Sequence, residues 1–365
     1  MRNKLFSVLL AAAMILSLAA CGQKTPADAP ASSGTAAETP EAAPSVEETY
    51  PLTLTDMAGR EVTIEAEPQR IVSGYYISSS ACLALGLAER IVGVEDKSDK
   101  RPIYALAAPQ MLELPNVGSA KAFDLEACLA AEPDLVILPM KQQDTAETLS
   151  EMGIPTLLVL PESHEQVLEM FTLIAEAAGC PEAADTLIAY YTGKLAEAED
   201  LTADLPDGEK PVVYIGGTSS YLTTAPAEMY QASLITAAGG VNAGAGIAGT
   251  SWTEISYEQL LAMDPDIIVV PTNSFATAAP DYTVDGVLAD PQLQEVTAVK
   301  NGAVYQMPTG FEAWDSPAPS GILGTLWMLK TLHPDLYSGS QFAADVQEFY
   351  QTFYGFTPDT AALAD

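Results

Sequence analysis

What this chain lacks narrows its function first. Only 2 of 365 residues are histidine. His164 and His333 lie far apart in sequence, which argues against a His-rich site for free zinc or manganese. Of the 4 cysteines, none forms a CxxC pair or any other metal-ligand spacing; Cys82, Cys128 and Cys180 read as small buried apolar residues. Basic residues are scarce, 15 against 49 acidic ones, for a formal net charge of −34. Such a chain repels nucleic-acid phosphates and anionic lipid headgroups alike. Motifs of the common chemistries are missing as well: there is no GxSxG elbow, no HExxH, no P-loop and no GxGxxG behind a strand. The serine-rich stretch Ile77-Ser78-Ser79-Ser80-Ala81 has no histidine near it in sequence and reads as a helix cap. No metal site of its own, no nucleic-acid partner and no enzymatic turnover are therefore expected.

At the start, Arg2 and Lys4 precede an apolar run too short and too rich in small residues at its end to remain a membrane span, the pattern of a secretory leader. Leu18-Ala19-Ala20-Cys21-Gly22 resembles the bacterial lipobox, in which the cysteine takes a diacylglyceryl group and becomes the new N-terminus. Residues 1–21 are thus expected as a lipoprotein signal peptide and Cys21 as the lipidation site. Residues 22–49 are mostly Ala, Pro, Ser, Thr and Glu and cannot bury enough surface to offset the entropy of ordering them; they read as an extended tether. Loss of Arg2 and Lys4 leaves the body two units more negative still, so the lipid alone would hold it at the outer face of the cell membrane.

The most informative feature is a repeated phrase. Residues 123–139, FDLEACLAAEPDLVILP, recur without a gap as ISYEQLLAMDPDIIVVP at 255–271. Each copy reads as a helix capped by Asp124 or Ser256, stopped by Pro133 or Pro265, and followed by a continuous apolar run suited to a parallel strand buried on both faces. The copies are too far apart for a solenoid and suit two lobes of related construction. Further strand candidates are 70–73, 91–94 and 156–160 in the first lobe and 211–215 and 303–307 in the second, an alternation that argues for α/β layers. Residues 165–201 are helical in pattern, broken by Gly179-Cys180-Pro181. The second of these helices is long enough to bridge two lobes as a strut, so modest lobe closure is expected. The organisation expected is an N-terminal lobe at 50–164, connecting helices at 165–205 and a C-terminal lobe at 206–365.

With these parts in order, the chain resembles the helical-backbone class of ABC-importer solute-binding proteins, the family that serves uptake of iron-siderophores, haem and cobalamin. The resemblance covers residues 52 to the C-terminus. It rests on DMAGREV with PQRIV (56–62 and 68–72), ALGLAERIVGV (84–94), VGS (117–119), both Pro-Asp-strand phrases, and LQ with AVKNGAVY (293–294 and 298–305). It implies two Rossmann-like α/β lobes with central sheets flanked by helices, a rigid inter-lobe helix and a ligand cleft between them. It also implies a monomer that delivers a small molecule to a permease dimer with its ATPase subunits. In the family a surface glutamate near the start of the repeated helix pairs with permease arginines; the matching positions are Glu126 and Glu258. Both also suit a helix dipole, worth a few tenths of a kcal/mol each.

Residues just after strands are the first candidates for ligand contact. They are Tyr75, Tyr76, Lys97, Arg101, Lys141 and Gln142 in the first lobe, and Tyr221, Trp252, Asn273 and Trp314 in the second. Extended alternation would let only one of Tyr75 and Tyr76 reach the ligand. Trp252 and Trp314 align with family positions that put aromatics against a large ligand, although each ring would serve equally as a cap on its own core. Lys97, Lys100 and Arg101 read as solvated. Without an arginine cluster at these loops, a weakly charged ligand is favoured over a bare oxyanion. The transported metal complex would be a hydroxamate-type ferric siderophore, haem or a corrinoid, with molybdate or tungstate as the alternative. For haem, Tyr75, Tyr76, Tyr221 and Met140 are possible axial ligands.

Overall fold

Both copies of the repeated phrase fold as capped helix and strand. The computed structural model describes residues 50–271, 282–308 and 310–363. In the first copy Asp124 Oδ1 accepts from the Ala127 amide at 2.9 Å and opens the helix Leu125–Ala130. In the second, Ser256 and Gln259 form a reciprocal capping box on the helix Tyr257–Met263. Each helix leaves the α region at the residue before its proline, Glu132 at φ 47° and Asp264 at φ 39°. That left-handed conformation costs a non-glycine residue on the order of 1 kcal/mol or more. The aspartate after the proline provides a local offset. Asp134 accepts from the Gln69 and Arg70 amides at 2.9 and 2.8 Å, and Asp266 from the Val212 amide at 2.8 Å. Each thereby ties its own strand to the start of the neighbouring strand of the sheet.

These strands lie in two parallel four-stranded sheets. The first sheet runs, in spatial order, Ile91–Val94, Ile71–Ser73, Leu135–Pro139, Thr156–Val159; the second runs Val241–Asn242, Val212–Ile215, Ile267–Val270, Val304–Gln306. Counted along the chain, both read 2-1-3-4. Every residue of Leu135–Pro139 is buried, as a parallel strand covered on both faces requires. Val241–Asn242 has no counterpart among the strands expected from sequence. It is two residues long behind Gly239 and Gly240, too short for any pattern. A hairpin of Leu52–Thr55 and Glu61–Ile64 precedes the first sheet. Buried Asp56 fastens it, its carboxylate accepting from the Arg60 guanidinium at 2.7 Å and the Leu158 amide at 3.1 Å.

Between the sheets run the helices His164–Ala177 and Pro181–Thr202, separated at Gly179, which sits at φ 71°. The second has 22 residues and spans about 33 Å. Its Tyr191 is fully buried, with the hydroxyl 2.8 Å from His164 Nδ1 and 2.9 Å from the Tyr230 hydroxyl. The strut is thus stitched at both sides. Burial pushes the His164 imidazole down to about 4. Cys82, Cys128 and Cys180 are free thiols; the first two are buried and the third is half-buried. No described helix is long and apolar enough to cross a membrane.

Candidate ligand cleft

The first lobe's cleft edge begins where Ile71–Ser73 ends. A Cβ on Gly74 would lie 2.7 Å from Leu138 and 2.8 Å from Phe123, so only glycine lets the chain turn there. It enters the helix Tyr76–Ala84 at once. Tyr75 is extended, at φ −147° and ψ 124°, but Tyr76 is already helical, so strand alternation does not separate them. Both line a cavity of ≈ 380 Å³, together with Glu95, Lys97, Arg101 and Lys121. Their rings meet edge to face at 5.4 Å. The expectation that only one tyrosine faces the cleft is corrected by this early helix start.

That start also corrects the reading of the serine run. Ser78, Ser79 and Ser80 are buried inside the helix and do not cap it. Ser79 Oγ donates to Glu95 at 2.6 Å, and Ser73 and Ser78 share a bond of 2.8 Å. Glu95, only 4% exposed, is the hub of the network, accepting also from the Tyr104 hydroxyl at 2.8 Å and Arg101 Nε at 3.0 Å. The Arg101 guanidinium then lies 4.1 Å above the Tyr76 ring, a cation–π contact. The Tyr76 hydroxyl in turn is 2.9 Å from Ser316 Oγ. Ser316 lies far along the chain, so this bond ties the edge of the first sheet to a segment of the chain's C-terminal half.

Sequence reasoning set Arg101 and Lys97 aside as solvated and did not single out Lys121. The cleft assembles all three, where they meet Glu95 and Asp96 in the same lining. Three cations against two carboxylates leave the cavity only weakly positive. A clue in the sequence was Glu95 itself, a carboxylate directly behind a buried strand that needs a partner.

Beyond Tyr76 lies a second pocket of ≈ 20 Å³, where Tyr76, Ser80 and Arg101 face Phe311, Glu312 and Ser316. Glu312 is 7% exposed; its Oε1 accepts from the Tyr354 hydroxyl at 3.3 Å, and its Oε2 has no partner among the described residues. Burial raises its pKa, and nearby hydroxyls and Arg101 restrain the rise. Asp315, 3% exposed, also has one oxygen without a described partner, and burial pushes its carboxyl up to about 7.

The remaining candidates separate. Trp252 is half-buried against Gly217, just past Val212–Ile215, at the second lobe's counterpart of the Gly74 edge. The Tyr221 hydroxyl is engaged by Asp290 and lies 2.9 Å from the Tyr257 hydroxyl, on the side of the helix Tyr257–Met263. Gln142 Nε2 donates to the Ala120 carbonyl at 3.1 Å and so braces the loop beside the larger cavity, whereas Lys141 is exposed and lines neither cavity. Trp314 is a correction. It is fully buried, its indole Nε1 donating to the Tyr350 hydroxyl at 2.9 Å, with Phe342 edge-on at 5.6 Å; the last helix encloses it. Asn273 and Cys21 lie outside the described residues. Glu126 and Glu258 are both exposed in the first turns of the two repeated helices. The Ser256 hydroxyl holds the Glu258 carboxyl below its ordinary range. Among the described residues no group of three or more His, Cys, Asp or Glu is placed to hold a metal ion.

Two sheets of one topology, a helical strut and a shared cleft define an architecture, and the family model described as periplasmic binding protein matches residues 71–309. The chain belongs to the periplasmic binding protein family. This binding protein is 24% identical to the molybdate-binding protein MolA of Haemophilus influenzae, over 85% of its own length and 93% of that protein. It is 27% identical to the cobalamin-binding protein of Halobacterium salinarum, over 74% and 71% of the two chains. A periplasmic solute binding protein from Veillonella parvula superposes with a TM-score of 0.72 at 28% identity, covering 86% of this chain and 96% of that one. The helical-backbone class and the α/β fold are as the sequence resemblance implied. The binding protein is a substrate-binding component of an ABC importer, with a permease as its partner outside the cytoplasm.

Proposed function

We propose that this binding protein, anchored through lipidated Cys21, captures a weakly charged metal complex between its lobes and hands it to the importer without turning it over. The observation that carries this reading is the Tyr76–Ser316 bond between distant segments of the chain, flanked by two cavities that share Tyr76 and Arg101. Ligand-binding loops belong at the C-terminal edges of such sheets, and Gly74 and Gly217 mark those edges. The near balance of charge around the larger cavity favours a ferric siderophore, haem or a corrinoid. Tyr75, Tyr76 and Trp252 supply aromatic contact; Gln142 shapes the rim, with Lys141, Tyr221 and Asn273 as outer contacts. Molybdate or tungstate is the second reading, favoured by the likeness to MolA and by the one excess cation at the rim.

A thermal-shift panel of ferric siderophores, hemin, corrinoids, molybdate and tungstate, with native mass spectrometry of the purified protein, tests the ligand class. A true ligand at one hundred times its Kd adds about 2.7 kcal/mol. Stabilisation by a free divalent metal alone would overturn the assignment. Stabilisation by no small molecule would favour a non-transport surface lipoprotein. Glu126 and Glu258 are proposed to dock on permease arginines, in the manner of the family. Glu126→Ala with Glu258→Ala is expected to leave ligand affinity intact and abolish uptake; unchanged uptake refutes docking. Cys21→Ala is expected to release the protein from the membrane fraction.

A further inference from the structure

The small pocket beyond Tyr76 differs in chemistry from the larger cavity. Its walls are the Tyr76 and Phe311 rings with Ile103 and Ala318, and its polar lining includes Glu312, Ser80, Ser316 and Arg101. Arg101 is bonded through Nε to Glu95 and lies over Tyr76. The guanidinium that lines this pocket is thus already paired with Glu95, which lies outside the lining, and Glu312 is the one carboxylate within it. Glu312 Oε2 is the atom left without a described partner; the Ser80, Ser320 and Tyr354 hydroxyls already act on this carboxyl, and the free oxygen has room for one further donor. At ≈ 20 Å³ the pocket admits one water-sized group.

We propose that the Glu312 pocket is a subsite for a cationic, hydrogen-bond-donating arm of the ligand, a primary ammonium above all, distinct from the portion held in the larger cavity. An ammonium has three N–H donors; Glu312 Oε2, Ser80 Oγ and Ser316 Oγ are three acceptors around one small space. The aromatic faces of Tyr76 and Phe311 favour a cation over a neutral group of equal size. The two cavities share Tyr76 and Arg101; those side chains are in contact at 4.1 Å, so an alkyl stem joining the metal centre to the ammonium has to part them. This subsite rests on the reading that the cleft holds a metal complex, and it adds a selection rule: of two complexes with the same metal centre, the one with the free amine binds better.

The test uses ferrioxamine B, a ferric trihydroxamate ending in a primary ammonium, and its N-acetylated form, with calorimetry on the full mature chain and on Glu312→Gln. The native protein is expected to bind ferrioxamine B at least tenfold more tightly than the acetylated form, and Glu312→Gln to bring the ratio close to one. Ser80→Ala, which removes one acceptor and no charge, is expected to reduce the ratio about threefold. Circular dichroism confirms that each variant is folded. Equal affinity for the two complexes in the native protein, or an undiminished ratio in folded Glu312→Gln, overturns the subsite. Tight binding of ferric citrate or molybdate with none of ferrioxamine B also overturns the subsite and leaves the importer reading standing. Failure of every member of the panel to bind overturns that reading and the subsite with it.

Discussion

The two lobes share a strand order and a helix–strand phrase but finish their cleft edges differently. In the first, the Glu95 hub satisfies itself within the lobe, with three described donors on one carboxylate. In the second, Tyr282 Oη, Glu312 Oε2 and Asp315 Oδ1 are buried without a described partner. One wall is satisfied within itself; in the other, Glu312 alone of these three residues lines a cavity. The repeat conserves scaffold bonds, such as those of Asp134 and Asp266, and the difference in chemistry is confined to loops after the strands. Duplicated architecture thus does not imply a duplicated binding surface.

The contrast yields predictions, each read by urea unfolding. Within the second lobe, Trp314→Ala is expected to cost about 4 kcal/mol as a core truncation, whereas Trp252→Ala should cost no more than about 1 kcal/mol and weaken ligand binding. Similar losses at both positions would place the two rings in one environment. Glu95→Gln is expected to cost about 3 kcal/mol, because it strips a buried carboxylate from Arg101, and Glu312→Gln to stay within about 1 kcal/mol of native. Equal costs would break the contrast between a satisfied and an unsatisfied wall. Asp134→Ala should cost about 2 kcal/mol and Asp266→Ala about 1, since the first accepts from two backbone amides and the second from one. The reverse ranking would show that the phrases do not brace their sheets alike.

The smallest effect in the native protein is on pH dependence, where two buried groups oppose each other. Asp315 titrates near 7 in the folded chain, above its ordinary 3.8. Between those values the folded state holds a proton the unfolded chain has lost, so stability falls as pH rises. His164 is lowered from 6.5 to about 4; over that window the unfolded chain holds the extra proton, so stability rises with pH. The slopes offset one another from pH 4 to 6.5, and only a decline from 6.5 to 7 survives. Asp315→Asn should expose the rise and His164→Gln the decline. Identical profiles for both variants would refute the assignment.

The sequence carried those parts of the fold whose causes are local. Caps at Asp124 and Ser256, the prolines that end both helices and the apolar runs behind them are read within one segment. So is the break at Gly179. The 2-1-3-4 order and the strand Val241–Asn242 depend on partners far along the chain. Trp314 misled because a ring in a loop rich in Gly and Pro looks available; Phe342 and Tyr350 bury it from a helix that begins at Gly339. Arg101, a candidate by its place after a strand, reads as solvated for the opposite reason. A cation in a polar turn looks solvated until Glu95 and Tyr76 are seen on either side of it. Charge patterning alone therefore missed the cleft, although the placement of residues after strands pointed to Tyr75, Tyr76 and Trp252.

The strut Pro181–Thr202 has a consequence for affinity. When a receptor must first reach a rare conformation, its apparent Kd is the intrinsic value divided by the fraction of molecules already competent. A continuous helix stitched by Tyr191 to His164 and Tyr230, with Tyr76 already bonded to Ser316, holds that fraction high, so little binding energy is diverted into assembling the site.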